Sequence, residues 1–253
     1  DPHFWASGLG SFGGVEGNLN ATGYQQQSAG SLIGADTRIL DLLHVGLTAG
    51  YVSAAASRNG LDNHLHSNLW QIGTYADMPL GQKGNFGLLI GYDQGGTHTQ
   101  NASLLGTSTA TGEAKLVTAE AIASWHYDLG KGHSLTPIIS LQSLTTQHSR
   151  VTESGLPALN TVAGSFSSNF VSARVQARYD YQWRALETDW TSSLAVGFRE
   201  MLNQPTADRD IRYIGTAGGD LLVQGAQPNS QTGAGLINAG LTGHLADQFD
   251  LEL

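Results

Sequence analysis

Val171-Ser172-Ala173-Arg174-Val175-Gln176-Ala177-Arg178-Tyr179-Asp180-Tyr181-Gln182-Trp183 alternates without a break. Val171, Ala173, Val175, Ala177, Tyr179, Tyr181 and Trp183 take one set of positions, and Ser172, Arg174, Gln176, Arg178, Asp180 and Gln182 the other. Successive side chains of a strand point to opposite faces, so one face is apolar and the other polar and charged. After a predicted turn at Arg184–Leu186 the pattern returns. Trp190, Leu194, Val196 and Phe198 fall on one side, and Asp189, Thr191, Ser193 and Arg199 on the other. Asn169–Phe198 therefore reads as a long hairpin. Its apolar face suits either a protein core or lipid with a wet lumen behind it.

The same alternation extends outward in both directions. It predicts strands over His3–Gly13, Ser28–Ile39, Val45–Ser53, Leu69–Met78, Phe86–Asp93, Glu113–Leu129, Leu135–Gln142 and Ile237–Leu245, with a further strand starting at Phe249. Tight turns are expected at Leu40–His44, Pro79–Gly84, Gly130–His133, Arg184–Leu186 and Asp247–Gln248. Longer polar loops are expected at Gly14–Gln27, Ser57–Ser67, Gly95–Gly112, Arg150–Ser168 and Asn203–Gln231. Short and long connections thus alternate, as short periplasmic turns and long external loops do in outer-membrane barrels. Trp5, Trp125, Tyr127, Tyr181, Trp183 and Trp190 are expected beside the short turns, where an interfacial aromatic girdle lies. Strands of about 10 residues or more also exceed the usual ~5–6 of globular sheets.

Composition agrees with a wall between lipid and water. Charged residues are 13% and apolar ones 40% of the 253, against roughly 25% charged in a typical soluble domain. Glycine, at 33 residues, fills part of the difference. A formal charge of −9 with 12 Lys and Arg excludes a nucleic-acid partner, which needs a basic surface. The absence of Cys excludes disulfides and thiolate metal sites. No apolar run reaches the ~18 residues of a transmembrane helix. No basic-then-apolar signal segment is present, and no stretch reads as an interdomain linker, so residues 1–253 are taken as one domain.

Three stretches together resemble a known family. They are Phe4-Trp5-Ala6-Ser7-Gly8-Leu9-Gly10-Ser11-Phe12-Gly13, Gly30-Ser31-Leu32-Ile33-Gly34-Ala35-Asp36 and Val45-Gly46-Leu47-Thr48-Ala49-Gly50-Tyr51. In order and spacing they resemble the C-terminal β-barrel translocator domain of type Va autotransporters, with Val45 as a slight departure before Gly46. Gly225-Ala226-Gln227-Pro228 followed by Ala239-Gly240-Leu241 is similar to that family's later strands. The resemblance implies an all-β, antiparallel, up-and-down transmembrane barrel of twelve strands in the bacterial outer membrane. It implies lipid as surroundings, the barrel-assembly machinery as a partner, and export and display of the protein's own N-terminal passenger. A pore helix before the first strand and a closing hairpin after Leu253 are also implied. Neither is in this chain, which is read as truncated at both ends.

Glu120, His126, Asp128, Arg174, Arg178, Asp180, Asp189 and Arg199 are the candidate lumen-facing residues, because each falls on the polar side of its strand. Their expected role is a hydrated, mutually neutralising lining, or contact with the pore helix. No catalytic, cofactor or metal residue is assigned. His126 and Asp128 share a face with Glu120, as acid–base groups of a hydrolase would, but spacing shows no nucleophile with a neighbouring base; Ser124 beside His126, in a strand of small residues, is the nearest. His64-Leu65-His66 places two imidazoles on one side of an extended segment, where a metal could bind, but a polar external loop is expected there. Gly8-x-Gly10 and Gly13-Gly14 precede no helix and so form no dinucleotide site. Two rival functions share the pattern. One is a stand-alone porin-like channel, and the other an outer-membrane hydrolase of the omptin or phospholipase kind, which needs an Asp/His or Ser/His cluster at the external rim.

The end of the chain carries one more expectation. Ten complete strands are counted, with an eleventh beginning at Phe249. Unpaired edges in hydrocarbon are costly and such barrels have even strand numbers. The alternation therefore predicts roughly 20–30 further residues in the natural protein and, in this chain, a gap beside the first strand.

Overall fold

The computed structural model describes residues 2–15, 23–39, 42–58, 63–103, 106–156, 160–185, 188–203, 209–213, 221–223, 233–246 and 249–252. The first strands are β1 (His3–Val15), β2 (Tyr24–Ile39), β3 (Leu43–Arg58), β4 (Asn63–Leu80), β5 (Gly84–Ser103), β6 (Gly106–Trp125), β7 (Tyr127–Gly130) and β8 (His133–His148). They are followed by β9 (Val151–Ser154), β10 (Thr161–Ala163), β11 (Phe166–Ala185), β12 (Thr188–Met201), β13 (Arg209–Tyr213), β14 (Leu221–Val223), β15 (Gly233–Ala246) and β16 (Phe249–Glu252). Gly225–Pro228, the turn at 247–248 and most of Asn203–Gln231 lie outside the described residues.

Hydrogen-bonded neighbours run β1–β2–β3–β4–β5–β6–β8–β11–β12–β15–β16, and β16 returns to β1. The sheet is a closed barrel. The expected central hairpin forms, with Val175 opposite Phe198 and Tyr179 opposite Leu194. β7 continues the line of β6 after a break at His126. The rungs lost there are those of Thr136 and Pro137, and proline brings no N–H to a ladder. The His126 N–H turns to the Lys83 carbonyl instead, at 2.7 Å. At the end away from the tight turns, β9, β10, β13 and β14 extend the sheet beyond β6.

The predicted gap beside β1 is absent. Phe4 to Ser7 pair with Phe249 to Glu252, in parallel. Parity gives the reason. Neighbouring strands alternate in direction around an up-and-down sheet, so the first and the eleventh run the same way and meet only in parallel. That seam is short and less favourable than an antiparallel one, yet it occupies edge groups that a gap would leave unpaired.

Strands also run through the predicted loops: β9 and β10 lie within Arg150–Ser168, and β13 and β14 within Asn203–Gln231. Over Gly95–Gly112 the β5–β6 hairpin stays paired up to Ser103 opposite Gly106. Over Ser57–Ser67, β3 continues to Arg58 and β4 begins at Asn63. His64, His66 and Gly13-Gly14 accordingly lie in strands. Thr97, Thr99, Thr107, Thr109 and Thr111 favour extended backbone through their branched Cβ. A strand wetted on both faces needs no apolar alternation, so hydropathy alone reads it as a loop.

Exposure along the strands is the reverse of that in a soluble protein. Leu47 is 68% exposed, Val175 62% and Ile237 78%, while Gln176 is 9% and Asp180 8% exposed. Among the described residues the buried apolar ones are Ala110, Ala114, Val162 and Ala195, too small to form a core. A single sheet closed on itself shelters its inner face only. The outer face carries the apolar band. Near the tight turns it bears Trp183 stacked on Trp190 at 5.9 Å and His133 stacked on Tyr181 at 4.6 Å. Trp5 is not among these aromatics. It lies opposite Gly34 on the inner side, with its indole N–H donating to Tyr75.

Candidate functional site

The densest polar cluster lies inside the barrel near the tight turns, on β1 to β4. Small residues make room for it. A methyl on Gly34 would overlap the Trp5 indole, and one on Gly46 would overlap the Tyr75 ring. These glycines let two aromatic side chains lie flat along the wall. Asp36, opposite Gly46 and 5% exposed, is the hub. It accepts from the Tyr75 hydroxyl, faces His44 Nε2 at 2.7 Å, and lies 3.4 Å from His3 Nδ1. His44 Nδ1 is 3.2 Å from Asp77 Oδ1, and Asn85 Nδ2 is 3.5 Å from the other Asp77 oxygen. A neutral imidazole has one N–H and satisfies one of the two carboxylates; the imidazolium satisfies both. The cluster joins four consecutive strands by side-chain bonds.

Sequence reasoning missed this cluster because its members come from four strands. The available signal was Asp36 two residues after Gly34, and an inward Tyr75 on a strand whose other face is apolar.

The sequence-predicted residues form a second, looser group. Arg174 Nη2 donates to Glu120 Oε1 at 2.8 Å, and its Nε donates to Ser140 Oγ at 3.2 Å. Arg178 Nε donates to Asp180 Oδ2 at 3.0 Å. Arg199 stands directly opposite Arg174. The other three, Asp189, Asp128 and His126, lie elsewhere. Asp189 and Arg184, 3.7 Å apart and both largely exposed, sit at the β11–β12 turn. Asp128 accepts from the Gly130 N–H at 2.7 Å, closing the turn before Lys131, whose φ is 56°. His126 Nδ1 is 3.3 Å from Thr136 Oγ1, and among the described residues no hydrogen bond joins it to Ser124. Asp93, in β5 between Gln71 and Leu116, keeps Oδ1 buried without a hydrogen-bond partner among the described residues.

Chemically the inner wall offers donors, acceptors and charges of both signs. Its Asp–His–Asp arrangement lies at the tight-turn end, away from the external rim where a surface hydrolase would work. Among the described residues, no three His, Asp or Glu side chains converge on a metal-ion position.

Comparison with known proteins fits this geometry. The family model described as "Autotransporter beta-domain" matches residues 4–253. Two curated relatives, each called "Extracellular serine protease" from Serratia marcescens, are 35% and 34% identical over 95 residues. Those residues make up 38% of this chain and 8% of each relative, so the chain spans a small part of their length. The translocator domain of the autotransporter NalP from Neisseria meningitidis superposes with a TM-score of 0.70 at 12% identity, over 97% of this chain and 78% of that one. The beta domain of the Bordetella autotransporter BrkA superposes with a TM-score of 0.62 at 13% identity, over 96% and 92%.

Proposed function

This chain belongs to the autotransporter beta-domain family and is a translocator barrel of the bacterial outer membrane; from that premise we propose how its inner wall serves passenger display. The segment joining the passenger to β1 runs through the lumen, and the wall holds it by polar contacts rather than by chemistry. Glu120, Arg174, Arg178, Asp180 and Arg199 provide a wetted lining that an extended or helical segment of mixed polarity can pass. The observation that carries this reading is the inverted exposure of a closed sheet, apolar outside and polar inside.

Asp36, His44, Tyr75 and Asp77 act as a brace across β1–β4 and not as a reaction centre. Both carboxylate oxygens of Asp36 are engaged within the cluster, which supports a bracing role. The whole chain 1–253 acts as one unit, inserted by the barrel-assembly machinery.

The test is an epitope-tagged reporter fused ahead of Asp1 and produced in a Gram-negative host. Protease added outside intact cells should remove the epitope while the barrel still migrates as a folded, heat-modifiable species. A folded barrel with the epitope left in the periplasm overturns the reading. If that barrel also conducts ions in planar bilayers, the porin-like alternative is favoured.

A further inference from the structure

We propose that His66 and His98 form a two-histidine site for a divalent late transition metal, with copper held more tightly than zinc. They are far apart in sequence, yet stand directly opposite each other on β4 and β5. Residues so placed have Cβ atoms about 4.5–5.5 Å apart. Metal–imidazole bonds are about 2.0–2.1 Å long, so the two rings can turn toward each other and share one ion.

The surroundings favour a cation. His64, His66 and His98 are all exposed. Neighbours on this face include the uncharged Asn68, Gly96, Gln100, Thr109 and Thr111, and one carboxylate, Glu113, opposite Gly96 on β6. Ala55 on β3 lies opposite His66, and no atom lies within 4 Å of where a Gly96 side chain would begin. A cavity of about 760 Å³, with Phe12, Gln25, Gln27, Ala55, His64 and His66 among its walls, gives water and the ion access. The site also stands clear of lipid. The Trp70–Tyr92 aromatic pair, 5.7 Å apart, lies between it and the apolar band. His66 is four residues beyond Trp70, about 13 Å at ~3.3 Å per residue. Two imidazoles leave the remaining coordination positions to water. Copper outranks zinc for such nitrogen donors.

The experiment uses the full chain, purified in detergent without a polyhistidine tag and titrated with Cu²⁺ and then with Zn²⁺. One equivalent should bind. His66→Ala and His98→Ala should each weaken it by about tenfold or more, because the second imidazole acts as an intramolecular ligand. His133→Ala, at the opposite end of the barrel, should change nothing. Heat-modifiable migration checks folding, and His66→Gln replaces any alanine variant that misfolds. Electron paramagnetic resonance of the copper form should show two imidazole nitrogens, reduced to one in either variant. Unchanged affinity in either single variant, or an equal loss in His133→Ala, overturns the site.

Discussion

Arg174 and Arg199 occupy the same rung of β11 and β12, and the Arg174 guanidinium reaches the other way, to Ser140 on β8 and Glu120 on β6. Like charges directly opposite in a sheet are destabilising. Glu120, reaching Arg174 from β6 at 2.8 Å, offsets this. Glu120→Gln is expected to lower the urea midpoint of unfolding in micelles, at a cost of about 1 kcal/mol after allowance for screening in a wet lumen. Adding Arg199→Gln should recover much of the loss. A double variant less stable than Glu120→Gln alone would show that the arginine pair is not the source of the strain.

The facing of the central hairpin can be read directly. The chain has no cysteine, so one introduced thiol takes one label. A spin label at Val175→Cys should be accessible to oxygen dissolved in lipid, and one at Arg178→Cys to a water-soluble relaxer. A one-residue slip would reverse every side chain and put arginine into lipid, at about 2–4 kcal/mol near mid-membrane. The reverse labelling pattern would rule out the polar lumen.

Tyr75 packs over Gly46, and no side chain fits between them. Gly46→Ala should therefore destabilise the barrel by about 1–3 kcal/mol, the usual range for overpacking. Gly8→Ala, with nothing within 4 Å of the new methyl, should stay within about 0.5 kcal/mol of the parent. Thermal loss of the folded band on a gel compares the two. Equal stability of both variants would mean that the aromatic-over-glycine contact contributes nothing.

Ser124 and His126 share a face, yet His126 is engaged with Thr136. Ser124→Ala and His126→Ala should leave surface display of a fused reporter unchanged, as measured by antibody binding to intact cells. Loss of display from a barrel that still folds would show that this patch does more than fill space.

Tyr75→Phe removes one donor from Asp36 while keeping the ring over Gly46. The expected loss is about 1–3 kcal/mol, the cost of leaving a sheltered acceptor one bond short. Unfolding in urea measures it, and no change would mean that the brace on β1–β4 is held by packing alone.

The alternation of Asn169–Phe198 was enough to specify a hairpin and to separate its apolar from its polar face, because period-two patterning is a local property of the chain; its register came from the paired strands. The family resemblance rested likewise on short motifs around Trp5, Asp36 and Gly46. Other features depended on strands meeting. Trp5 looked like a girdle residue until its partner across the sheet proved to be Gly34. His66 and His98 became neighbours only through the β4–β5 register. The Thr-rich stretch Gly95–Gly112 became a hairpin because pairing stabilises strands that hydropathy does not mark. The parallel seam between β1 and β16 follows from strand parity, a property of the closed sheet that no single segment contains.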